Sequence, residues 1–116
     1  MEENKLTKYL LPYCVSERTQ IQYEEPLTYK YSIVDLRETL INIGFIILED
    51  IKNSIYVIKI KSGLLNLTYA YFVLELKDNN LNIAGCANEG ALSQNIYDKA
   101  IRKLMEGISD ENKTAK

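Results

Sequence analysis

Two cysteines, nine tyrosines and a scatter of adjacent carboxylates are the side chains in this sequence with chemistry to offer. Cys14 and Cys86 are the only thiols and lie far apart in the chain, so they form neither a CxxC pair nor a zinc knuckle. Cys86 falls in Ile83-Ala84-Gly85-Cys86-Ala87-Asn88-Glu89-Gly90, at the end of a predicted strand and ahead of a predicted helix. A thiol near a helix N-terminus gains acidity, and a nucleophile would sit in such a place. A nucleophile also needs a base, and the chain contains no histidine. The small residues around Cys86 equally suit close strand–helix packing, so an inert buried cysteine is expected there. The lack of histidine removes Ser-His-Asp and Cys-His catalysis and any His-ligated metal. Gly85 and Gly90 belong to neither GxGxxG nor GxxxxGK[ST], so no phosphate loop is expected. The carboxylate pairs Glu24-Glu25, Glu49-Asp50 and Asp110-Glu111 are adjacent in sequence. Neighbours on a strand point to opposite faces, so these pairs do not converge on a metal or a sugar. No catalytic residue, metal or cofactor is expected.

Tyrosines are the other unusual feature. Tyr29 and Tyr31 share one strand face, and Tyr69 and Tyr71 share another. With Lys59 and Lys61 nearby, paired sheet aromatics could stack unpaired bases, as RNA-recognising sheets do. Tyrosine also simply fits strands. The RNP-type motif is missing, and 14 basic against 16 acidic residues give a net charge of −2. That balance argues against nonspecific nucleic-acid binding as the main task.

The elements that must position these residues follow from periodicity. With 116 residues, 47% of them hydrophobic, the chain is long enough for one domain with a real core. Leu6, Tyr9 and Leu10 suggest a short helix stopped by Pro12. Residues 18–23 and 27–31 alternate as strands around Glu24-Glu25-Pro26. Ser32-Ile33-Val34-Asp35 reads as a capping box, starting a helix whose stripe is Leu36, Leu40 and Ile43, with Gly44 at its C-terminal cap. Phe45 to Glu49 is a strand apolar on both faces. In Ile55 to Lys61, Tyr56, Ile58 and Ile60 share one face. Asn66 to Lys77 is a long strand with Ala70, Phe72, Leu74 and Leu76 on its core face. Asp78-Asn79-Asn80 turns the chain tightly into a further strand from Leu81. A second helix, starting between Glu89 and Ser93 and ending near Glu106, carries Leu92, Ile96, Ala100, Leu104 and Ile108. Ser109 to Lys116 reads as a polar tail outside a domain of residues 1–108. The expected fold is α+β: a mainly antiparallel sheet of five or six strands with two helices on one face, a two-layer sandwich.

One feature does not fit a sheet with water on its second side. The odd positions of the long strand, Leu65, Leu67, Tyr69, Tyr71 and Val73, are also apolar or aromatic. A one-sided antiparallel sheet should show polar residues there. Either the N-terminal segment (Leu6, Tyr9, Leu10, Tyr13, Val15) folds over that face, or a partner does. In element order alone the chain is similar to secretion-chaperone-like dimers and small immunity or anti-defence proteins. No motif selects among them, so no residue roles carry over. The function expected is a non-catalytic protein-binding module, a small adaptor, chaperone or immunity-type protein. It would self-associate as a homodimer through Leu65, Leu67, Tyr69, Tyr71 and Val73. The alternatives are a small-ligand protein or enzyme with a pocket lined by Tyr29, Tyr31, Tyr56 and Cys86, and single-stranded nucleic-acid binding through Tyr69 and Tyr71. The acidic start, Met1-Glu2-Glu3, shows no basic n-region and no apolar leader, and no apolar run is long enough to span a bilayer. A cytoplasmic location with reduced thiols is the corresponding expectation, with no membrane partner.

Overall fold

The computed structural model describes residues 5–14, 21–62, 68–87 and 95–114. The elements run α1 (Thr7–Leu10), β1 (Gln22–Tyr23), β2 (Leu27–Thr28), α2 (Ile33–Ile41), β3 (Phe45–Asp50), β4 (Ile55–Ser62), β5 (Thr68–Lys77), β6 (Asn80–Ala87) and α3 (Ile96–Thr114). This is the predicted order. The sheet has six antiparallel strands, with β3, β4, β5 and β6 a meander and both β1 and β2 on the outer edge of β6. The fold is α+β, as the alternation of the strands requires.

Local chemistry explains the boundaries. Ser32 and Asp35 form the reciprocal capping box: the Ser32 hydroxyl accepts from Asp35 N at 3.1 Å, and Ser32 N donates to Asp35 Oδ2 at 3.0 Å. Such a cap contributes about 1 kcal/mol. At the β5–β6 hairpin, Asp78 (φ 53°) and Asn79 (φ 62°) both take left-handed conformations. A two-residue turn of that kind matches strand twist, and Asp and Asn tolerate it better than most residues. Lys77 and Asn80 close the hairpin as a pair. Strands β1 and β2 are two residues each; β2 stops at Thr28, short of the expected residue 31, while residues 18–20 of the first expected strand lie outside the described residues. The pair is interrupted by Glu24-Glu25-Pro26, and Pro26 has no N–H to give to β6.

Two further boundaries differ from the sequence reading. Gly44 does not cap α2 in a left-handed conformation; Asn42 is the C-cap. Gly44 is needed for space, because a Cβ there would stand 2.5 Å from Lys59 O and 3.1 Å from Ile60 Cγ1. The last helix does not stop near Glu106 but continues to Thr114. The stretch after Gly107 contains neither proline nor glycine to break it.

The sheet separates two apolar clusters. On one face, Tyr56, Ile58, Ile60, Ala70, Phe72, Leu74, Leu81 and Ile83 pack under Leu36 and Leu40 of α2 and Ile96, Tyr97, Ala100, Leu104 and Ile108 of α3. On the other, Ile55, Val57, Val73, Ala84 and Cys86 lie under Leu6, Leu10 and Cys14. The second face is therefore covered by the chain's own N-terminal segment, which adds a partial third layer to the two expected. Among the described residues no helix is long and apolar enough to cross a membrane.

Candidate functional site

The residues singled out from the sequence for partner binding fall into three environments. Val73 is fully buried beneath the N-terminal cover. That takes it out of any surface open to a partner while the cover is in place. Tyr71 is half-buried, its ring stacked on Tyr13 with centroids 5.2 Å apart and planes 14° from parallel. Tyr69 is half-buried, with Lys59 Nζ 4.6 Å from its ring centroid. Leu65 and Leu67 lie outside the described residues.

The cover is held at several points. Leu6 and Leu10 are buried, and each contributes about 2 kcal/mol by leaving water. The Tyr9 hydroxyl donates to Asp50 Oδ2 at 2.8 Å. Asp50 is held below the usual carboxylate range, first by the Asn53 side-chain amide and then by Tyr9. Tyr9 in turn is raised, chiefly by its bond to Asp50. Lys5 pairs with Glu75, a nearly buried carboxylate that also accepts from Asn82 Nδ2 at 3.3 Å. Thr7 and Tyr23 share a hydroxyl–hydroxyl bond that ties the cover to β1.

The covalent tie is a disulfide between Cys14 and Cys86, with Cα atoms 6.3 Å apart. This corrects the expectation of two reduced, separate thiols. The reason is topological. Cys86 sits opposite Tyr71 in the β5–β6 register, on the face over which the cover runs, and Tyr13 stacks on that same Tyr71. Stacking one residue upstream delivers Cys14 to Cys86.

The pocket expected from Tyr29, Tyr31, Tyr56 and Cys86 does not form. Tyr29 and Tyr56 are solid core beneath the helices, while Cys86 belongs to the opposite face of the sheet. Tyr56 donates to Ile33 O at 3.1 Å, and burial is the main cause of its raised pKa. Tyr29 meets Tyr31 edge-on at 5.5 Å. Tyr97 follows the same structural pattern: its hydroxyl donates to Glu24 Oε2 at 2.5 Å, and burial ahead of that bond pushes its pKa up. These hydroxyls fasten elements together. The Tyr69/Tyr71 stacking platform is likewise engaged within the chain, by Lys59 and Tyr13.

What the sequence did not mark is the free side of β3. This strand pairs only with β4, and its outer edge is open among the described residues. Phe45 and Ile51 bracket it, each about half exposed. Val34 and Ile41 on α2 are exposed as well, and they flank Arg37 at helical spacing. Arg37 Nε donates to Glu49 Oε1 at 2.9 Å, which fixes that stripe of α2 toward β3. Four of the six large apolar side chains exposed among the described residues thus border one strand. Exposed apolar groups scattered singly need no explanation, but a cluster along an open strand edge does.

Beside Phe45 the surface folds into an open cleft of about 350 Å³, lined by Ile41, Asn42, Ile43, Gly44, Phe45, Lys61 and Lys103. The fold and this surface together define a small α+β domain with one sheet face under its helices, the other under its own N-terminus, and an open apolar edge. No protein-family model, curated protein or solved structure matches the chain.

Proposed function

We propose that the protein is a non-catalytic binding module that self-associates, two copies meeting along β3. The observation that supports it is the open β3 edge bordered by Val34, Ile41, Phe45 and Ile51. A strand edge pairs with its own copy about a two-fold axis, which makes one continuous sheet and lays α2 of one copy beside α2 of the other. Val34 and Ile41 are then buried by symmetry. Charge favours the antiparallel register: Lys59 and Lys61 stand beside Phe45 at the start of the strand, while Glu49 and Asp50 end it. The bulge between Ile46 and Leu48 twists the middle of the strand, a device that limits edge pairing. The contact therefore leans on the α2 stripe.

The N-terminal cover lies over Val73 and Tyr71 of the interface expected from sequence, and Leu65 and Leu67 lie outside the described residues, so the edge is the surface put forward here. Light scattering on eluting protein over a concentration series should give twice the 13.4 kDa chain mass. Val34→Glu with Ile41→Glu should return it to the single-chain mass. Both side chains are exposed in the single chain, so at concentrations where the wild type is also a single chain the unfolding free energy should change by no more than about 0.5 kcal/mol per substitution. A wild-type chain of single mass at every concentration would sink the reading.

The cytoplasmic location expected from the sequence is part of the same proposal. That compartment keeps most thiols reduced, so the Cys14–Cys86 bond is the observation that weighs against this part of the proposal. Alkylation during denaturing lysis of intact cells, which exposes both buried sulfurs, distinguishes free thiols from the bond; full protection of Cys14 and Cys86 would count against a cytoplasmic location.

A further inference from the structure

We propose that Cys14 is a modification site for a small thiol: exchange at its sulfur opens the Cys14–Cys86 bond, leaves a mixed disulfide on Cys14 and releases the N-terminal cover. The bond joins two unlike environments. Cys86 belongs to β6, which runs between β1 and β5, and it is 0% exposed among Ile55, Val57, Val73 and Ala84. Cys14 belongs to the cover, where its N–H donates to Leu10 O at 3.1 Å, and it is 8% exposed. Exchange is an in-line displacement, so the attacking thiolate comes from the side opposite the leaving sulfur. For Cys86 that side is the sheet itself, closed by β6 and its two neighbours. For Cys14 it is the side of the cover. Access therefore decides which sulfur is attacked, and it favours Cys14.

The step balances with one co-reactant, the thiol. Its thiolate forms a bond to Cys14 Sγ as the bond between the two cysteine sulfurs breaks. The electron pair leaves on Cys86 Sγ, which takes a proton from water. The incoming sulfur is oxidised and Cys86 is reduced. A second thiol attacking the mixed disulfide would return Cys14 to a free thiol and carry the first away as the oxidised dimer.

The cover gates this step. Cys86 leaves as an anion, and an unpaired charge sealed among apolar side chains is costly. Water must reach that sulfur, so the cover has to lift as the bond breaks. Its noncovalent contacts then set the rate of exchange. They are Leu10 against the sheet, Tyr13 stacked on Tyr71, Tyr9 on Asp50 and Lys5 on Glu75. Tyr71 is the register partner of Cys86, so the stacked ring and the bond lie side by side and open together.

The test uses the oxidised full chain and excess reduced glutathione. Samples are quenched in denaturing acid and digested, and mass spectrometry places the adduct. At early times glutathione is expected on Cys14, with Cys86 a free thiol. Leu10→Ala should raise the rate of exchange at least about tenfold, because removing buried atoms from the cover favours its lifting. Met105→Ala, which touches only the helix-covered cluster, should leave that rate unchanged. In the purified Cys14 adduct, hydrogen exchange at the Tyr13 and Cys14 amides, both bonded to Leu10 O in the closed cover, should be at least about tenfold faster than in the oxidised chain. The proposal is overturned if the first adduct lies on Cys86 or equally on both sulfurs, or if neither cysteine takes up glutathione. It is also overturned if Leu10→Ala exchanges at the wild-type rate, or if the adduct keeps the protection of the oxidised chain. The adduct position and the hydrogen exchange are read on the wild-type chain, so they decide the matter even where Leu10→Ala does not fold. None of these readouts depends on self-association.

Discussion

Reducing the Cys14–Cys86 bond is expected to lower stability by about 4 kcal/mol and the thermal midpoint by roughly 15 °C. The size follows from the chain. The bond spans 72 positions, and closing a loop of that length removes a large share of the unfolded chain's freedom. Urea unfolding of the oxidised protein, of the reduced protein and of Cys14→Ser/Cys86→Ser should give one high midpoint and two similar low ones. A shift below about 1 kcal/mol would mean that the bond constrains little, against the chain-entropy account.

The loss should also be local. Leu6 and Leu10 contribute about 2 kcal/mol each, whereas ordering the backbone of residues 5–14 costs about 1–2 kcal/mol per residue. The leucines alone do not offset that cost. Further support comes from Tyr13 on Tyr71, Tyr9 on Asp50 and Lys5 on Glu75. The cross-link ensures that the balance favours the covered state. Trypsin should therefore cut after Lys5 and Lys8 much faster in reduced protein than in oxidised protein, under conditions where the sheet remains folded. Equal rates would show that the noncovalent contacts suffice.

This cover marks the boundary between what could and could not be read in advance. Each element announced by local chemistry is present: the Ser32–Asp35 box, the Asp78-Asn79 turn, and the alternation of Tyr56, Ile58 and Ile60 against Phe72 and Leu74. The greasy odd positions of β5 correctly signalled a covered second face, and folding of the N-terminal segment over it was one of the readings open. The disulfide was not legible, because it depends on where a segment with a four-residue helix lands, and no spacing rule reports that. The cleft was not legible either. Ile43 falls on the core stripe of α2 and Gly44 reads as a cap until the turn is seen packed against β4. The pocket expected between Tyr56 and Cys86 missed the parity of the sheet. Cys86 pairs in register with Tyr71, an odd position of β5, and so faces away from Tyr56.

Parity also sets the second large effect, at Gly85. Its register partner is Phe72, and both lie on the helix-covered face, where Tyr97 of α3 comes down between them. A Cβ at Gly85 would stand 2.5 Å from Phe72 Cε1 and 2.9 Å from Tyr97 Cε2. The Phe72 ring thus occupies the space a side chain would take, and the two rings pack with centroids 5.3 Å apart. Removing the ring and filling the space should both destabilise the fold, for opposite reasons. Phe72→Ala leaves a cavity and should cost about 4 kcal/mol. Gly85→Ala forces the rings apart in a core that has no room, and should cost about 3 kcal/mol. Combined with Phe72→Leu, which withdraws the ring edge, the alanine should become much better tolerated. The double-mutant cycle should then show a favourable coupling of at least about 1 kcal/mol, measured by urea unfolding. Additive losses would mean that Gly85 is required by the backbone rather than by the ring, and that Phe72 and Gly85 are not two halves of one packing unit.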